Sequence, residues 1–242
     1  MVTVGLLYPG HSAEDDYAAL DARLDGQVRR LPVVITSVGE DAHRVDALLD
    51  LGSAERLAEG AKELAPSSPD AVMWACTSGS FVFGPDGART QVAGIREQLG
   101  VPASSTSIAF VDALRALGLR RVAVAASYPA DVAEHFVGFL TAGGAEVVSI
   151  GSHGIITAAE VGTLEPAQVA AMVRAADHPD AEAVLVPDTA MHTLAIVDDL
   201  EAAVGKPVLT ANQVTVWKGL QLVGPVPRLA GLGALFRTGA PR

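Results

Sequence analysis

Short runs of continuous apolar residues alternate along this chain with longer segments whose apolar positions recur every three or four residues. The short runs fit strands buried on both faces, and the longer segments fit helices with one covered face. The strand-length runs are 3–9 (TVGLLYP), 31–38, 70–76 (DAVMWAC), 101–106, 120–129, 145–151, 181–187 (AEAVLVP) and 206–212. Helical spacing marks 42–64, broken near Gly52; 89–99, stopped by Gly100; 107–118; 131–142, ending at Gly143-Gly144; 166–176; 193–204, closed by Gly205; and 214–222. Regular alternation of this kind predicts an α/β fold with parallel sheets covered by helices.

Two stretches recur in the same order. DAVMWACTS (70–78) is matched by EAVLVPDTA (182–190), and LGVPASSTS (99–107) by VGKPVLTAN (204–212). This repeat predicts two similar α/β halves, one formed by 1–106 with 213–242 and the other by 107–212. It sets Cys76-Thr77-Ser78 opposite Asp188-Thr189-Ala190. Ligands in open parallel sheets bind outside the carboxyl ends of strands. Cys76 and Asp188 are therefore expected on two sides of a shared cleft, each backed by a helix N-terminus whose free N–H groups suit an anion.

Composition narrows the function. With 242 residues, 50% hydrophobic and 19% charged, the chain is globular. No apolar run nears the roughly 18 residues of a membrane span, and the start lacks the basic leader of a secretory signal. One cysteine permits no internal disulfide and fits a reducing cytoplasm. A net charge of −11 without a basic cluster speaks against nucleic acid as a partner. The six histidines show no metal-ligand spacing, and Gly79, Gly84 and Gly87 form no dinucleotide fingerprint. Neither a metal nor a nucleotide cofactor is expected.

Cys76 and Asp188 are the candidate reactive groups. A thiol reacts as thiolate, which a helix N-terminus favours; otherwise Cys76 is an inert buried residue, the common fate of a free cysteine. Asp188 reads as a general acid or base in a partly dry cleft, or as a helix N-cap. Thr77, Ser78 and Thr189 carry hydroxyls suited to a carboxylate or enediolate. His11 is a candidate base or contact after the first strand, with His153 and His192 weaker ones.

The stretches GLLYPG (5–10), WACTSGSFVFG (74–84), 101–136, SIGSHGI (149–155) and VPDTAMHT (186–193) together resemble the aspartate/glutamate racemase superfamily, in the branch of maleate cis-trans isomerases and arylmalonate decarboxylases. The resemblance implies two flavodoxin-like halves related by a pseudo-twofold axis, with the active site between them. It implies a cofactor-independent enzyme acting on a small carboxylic acid, with homo-oligomers common. Isomerases of the branch use one cysteine from each half, whereas decarboxylases keep only the second-half cysteine. This chain has Cys76 in the first motif and Asp188 at the second position. Tyr128 matches a family tyrosine that contacts the substrate carboxylate, and Pro9-Gly10-His11-Ser12 stands where isomerases show Pro-X-Ser-Asn. The expected activity is of the maleate isomerase or racemase type, with arylmalonate-type decarboxylation and carboxylate binding without turnover as alternatives.

Overall fold

The computed structural model describes residues 2–10, 12–23, 30–36 and 39–237. His11 lies outside the described residues. Among the described residues, eight strands form two parallel four-stranded sheets. In chain order they are β1 (Val4–Tyr8), β2 (Val33–Ile35), β3 (Ala71–Trp74), β4 (Ala103–Ser105), β5 (Arg121–Ala126), β6 (Glu146–Ser152), β7 (Ala183–Val186) and β8 (Val208–Thr210). The sheet orders are β2-β1-β3-β4 and β6-β5-β7-β8, so the second half repeats the first. This is the start of the flavodoxin-type order, with the first strand inside and its successor at the edge. The repeat extends to register. Trp74 pairs with Ser105 as Val186 pairs with Thr210. Ser105 and Thr210 then each cap the next helix, through bonds from the backbone N–H groups of Ile108 and Gln213.

Those two helices, Thr106–Leu117 and Ala211–Val223, pack against each other, and the hydroxyls of Thr106 and Thr215 meet at 2.6 Å. Helix Ala211–Val223 also rests on β3 and β4 of the first sheet and on β8 of the second. One apolar cluster crosses between the halves. It joins Leu6 and Met73 from the first sheet, Val124 and Leu185 from the second, and Phe110 and Trp217 from the crossing helices.

The structure alters several predicted elements. Helix Glu14–Arg23 was not predicted, because it buries only Asp16, Tyr17 and Leu20 and opens on three acidic residues, leaving little apolar periodicity. The helix expected from residue 89 begins at Gly84, with Pro85 in its first turn, where the missing N–H costs nothing. The helix expected from residue 193 begins at Val197. Its would-be first turn is diverted, because the Asp16 carboxylate accepts the N–H groups of Thr193 and Leu194, each at 3.0 Å. Strand β2 is shorter than the predicted 31–38, whose residues 37 and 38 lie outside the described residues. Among the described residues, no helix is long and apolar enough to cross a membrane.

Candidate active site

Strand β3 delivers Cys76 to its carboxyl end, just before the short helix Ser78–Phe81. The Gly79 N–H donates to Cys76 Sγ at 3.3 Å, and Ser78 Oγ lies 3.8 Å from it. Gly79 is closely packed: an added Cβ would stand 2.6 Å from Leu51 Cδ2 and 3.1 Å from the sulfur, so both neighbours would have to give way. Strand β7 delivers Asp188 to the matching place. Asp188 Oδ1 accepts the Ala190 N–H at 2.9 Å, and Oδ2 accepts the Ser127 hydroxyl. This is a carboxylate turn closing on the residue two positions ahead. No helix starts there, so the expected helix N-terminus behind Asp188, and the helix-cap reading with it, are corrected.

Cys76, Ser78, Asp188, Thr189 and Pro9 all line one cavity between the halves. Two predicted contacts stand behind its wall. The Tyr128 hydroxyl donates to the Pro187 carbonyl at 2.9 Å. It sits beside the Thr77 and Ser78 side chains, yet among the described residues Thr77 Oγ1 finds no partner with hydrogen-bond geometry. His153 and His192 lie away from the cavity, and His192 Nε2 reaches Asp15 instead at 2.8 Å.

Sequence reasoning missed three polar residues here. Tyr8 ends β1; its hydroxyl donates to the Thr189 carbonyl at 3.2 Å and accepts the Ala13 N–H at 3.1 Å. Its Tyr-Pro pair recurs at Tyr128-Pro129, a signal that was legible in the repeat. Asp41 and His43 lie on the loop after β2. Asp41 accepts the N–H groups of Ala158 and Ala159 at 2.9 and 3.0 Å. The backbone N–H of His43 donates to the Ile156 carbonyl at 2.8 Å, and its Nδ1 meets the Ile155 carbonyl at 2.9 Å. A first-half loop thus clamps a second-half loop across the cavity, with the His43 ring edge-to-face on Tyr128 at 4.9 Å. No spacing in the sequence announced this loop, because its partners are distant backbone groups.

Burial controls the electrostatics. It pushes the Cys76 thiol up to about 12; the Gly79 N–H and the Ser78 hydroxyl oppose this, and the Asp188 charge adds to it. Burial thus favours the neutral thiol, against the thiolate that a helix start favours, because one four-residue helix does not offset it. Tyr8 and Tyr128 are likewise raised by burial and by Asp188. Among the described residues, no Lys or Arg lines the cavity, and no group of three or more His, Cys, Asp or Glu could hold a metal ion.

The family model described as arylmalonate decarboxylase matches residues 51–236. The chain belongs to the arylmalonate decarboxylase family. It is 30% identical over 190 residues to the arylmalonate decarboxylase of Bordetella bronchiseptica, covering 78% of this chain and 76% of that one. It is 30% identical over 184 residues to the maleate isomerase of Nocardia farcinica, covering 72% of each. A mutant of the Nocardia farcinica maleate cis-trans isomerase, solved with a covalently bound succinylcysteine intermediate, superposes with a TM-score of 0.86 at 26% identity over 98% of both chains. These relatives are enzymes, and the family supports a function of isomerase or decarboxylase type.

Proposed function

We propose that the chain is a cofactor-independent enzyme of the racemase and isomerase type, which moves a proton at the carbon beside a carboxylate in a small carboxylic acid. One observation carries this reading: a buried thiol lines the same cavity as a buried carboxylate from the equivalent strand end of the other half. Cys76 gives its proton to the carbon from one side, and Asp188 takes a proton on the other. Ser78, Thr189 and the N–H groups around Cys76 steady the enediolate, whose charge grows in the transition state. Thr77 and Tyr128 back this cradle, and Pro9 shapes its wall.

The charge pattern selects the substrate. Asp41 and Asp188 line the cavity and no Lys or Arg does, so a monocarboxylate is favoured over a dianion such as maleate. Thiol addition to a double bond needs a thiolate, which burial opposes here. Proton movement therefore fits better than addition. The single cysteine suits an enzyme of the cytoplasm, and a homo-oligomer remains part of the reading.

Decarboxylation is the second reading, favoured by the family model matched over 51–236. The carbon–carboxylate bond breaks, CO2 leaves, the electron pair stays as the enediolate, and the Cys76 S–H proton goes to carbon. A panel of small mono- and dicarboxylates incubated in D2O, with mass and CO2 detection, separates the readings. Deuterium uptake or isomerisation without gas supports the first, and CO2 release supports the second. Ligand-raised melting temperature with no turnover would leave a carboxylate-binding protein.

A further inference from the structure

We propose that His43 is a positioning residue whose Nε2–H faces the Asp188 carboxylate as an ion pair, so that the two side chains together carry no net charge in the resting site. The proposal rests on the reading of Asp188 as the acid–base partner of Cys76 and adds the group that governs it.

The hydrogen-bond partners fix the imidazole. His43 Nδ1 lies 2.9 Å from the Ile155 carbonyl, which only accepts, so Nδ1 carries a hydrogen. The ring is also held by its own backbone bond to Ile156 and by the Tyr128 ring. In that orientation Nε2 faces Asp188 Oδ2 at 3.9 Å, with both side chains about 95% buried. A bare Nε2 and an ionised oxygen turned toward each other in a dry site repel, and a proton carried on Nε2 turns repulsion into attraction. Asp188 is built to be the anion of the pair, because its two oxygens already receive the Ser127 hydroxyl and the Ala190 N–H. The proton then belongs on Nε2.

The surroundings offer no substitute. Facing His43 are Asp188 from the loop after β7, Tyr128 from the loop after β5 and the Ile155 carbonyl from the loop after β6. Cys76 and Tyr8 share the cavity, and both have their neutral forms favoured by burial. On its own loop, Asp41 is occupied by two N–H groups, and Arg44 pairs outward with Glu40 and Asp46. His43 is thus the sole basic side chain among the described residues of the cavity wall. It cancels the Asp188 charge while leaving a carboxylate able to accept a proton, which lets a substrate monoanion enter an acidic protein.

The test uses the full-length protein labelled with 15N-histidine, at pH 7. The His43 signal is assigned by its disappearance in His43→Asn, whose amide can keep the bond to Ile155. The expected result is a protonated Nε2 in the wild type and a bare Nε2, with Nδ1 still protonated, in Asp188→Asn. A bare Nε2 in the wild type, or the same state in both proteins, overturns the proposal. A second arm follows α-deuterium uptake by phenylacetate. His43→Asn is expected to lose at least tenfold in rate while its melting temperature stays within a few degrees of the wild type. An unchanged rate overturns the positioning role even if Cys76→Ala abolishes exchange. Exchange that survives Cys76→Ala defeats the proposed function instead and leaves the nitrogen result standing.

Discussion

Cys76 and Asp188 end equivalent strands, β3 and β7, of two sheets with the same strand order, and both side chains open into one cavity. Their positions are related by the repeat, but their chemistry is not. One is a weak acid held neutral by burial, and the other is a carboxylate held by two donors.

Replacing Cys76 by Ala removes the proton donor. Turnover in the carboxylate screen is expected to fall by about 10² or more, the usual worth of a positioned acid. Near-UV circular dichroism should match the wild type, since only a small side chain is lost. Undiminished turnover in this variant would end the assignment of Cys76.

The Cys76 thiol should also shape stability at high pH. Its folded value near 12 lies above the ordinary 9.0, so the unfolded chain loses this proton first as pH rises. The stabilisation is fully present below pH 9 and is lost between pH 9 and 12, with a slope of at most ~1.4 kcal/mol per pH unit. Denaturant melts of wild type and Cys76→Ser across that window should diverge, with the variant less steep. Parallel curves would contradict the burial effect.

Asp188→Asn keeps an acceptor for the Ala190 N–H and removes the carboxylate. It is expected to fold and to lose turnover by about 10² or more. Asp188→Ala also strands the Ala190 N–H and the Ser127 hydroxyl, at about 1–3 kcal/mol per buried unpaired group. Urea midpoints of the two variants should therefore differ, with the Ala variant lower.

Asp16 ties the first half to the second. Its Oδ2 accepts the N–H groups of Thr193 and Leu194 and the Asn212 side chain, all at 3.0 Å. Asp16→Ala is expected to destabilise by about 3 kcal/mol or more, since several buried donors lose one acceptor. Amide exchange should quicken first at Thr193 and Leu194. Protection there equal to wild type would show that the loop holds without this bond.

Gly79→Ala places a methyl group between Leu51 and the Cys76 sulfur. Overpacking of this kind costs about 1–3 kcal/mol. The sulfur should shift with it, so turnover drops while the thiol stays titratable by reagent in the unfolded protein.

Much of the fold was legible in the sequence because buried parallel strands are written as local apolar runs. Cys76 and Asp188 could be paired because the repeat carries its own alignment. Helix Glu14–Arg23 escaped, since its covered face centres on Asp16, a polar group that is buried only because distant donors meet it. The turn after β7 was misread as a helix start, because Asp188 closes on the N–H two residues ahead and Asp16 captures the N–H groups of Thr193 and Leu194. Tyr128, expected as a substrate contact, stands behind the cavity wall with its hydroxyl taken by Pro187. His43 and Asp41 gave no local signal, because they are defined by backbone groups more than a hundred positions away.

Helix Ala211–Val223 follows every strand of both sheets in sequence yet covers strands β3 and β4 of the first. During synthesis the early sheet therefore waits, with one flank bare, until residues 211–223 have left the ribosome. A nascent chain stalled before residue 211 should expose that flank to chaperones, and a fragment lacking the closing segment should need it supplied in trans to become compact.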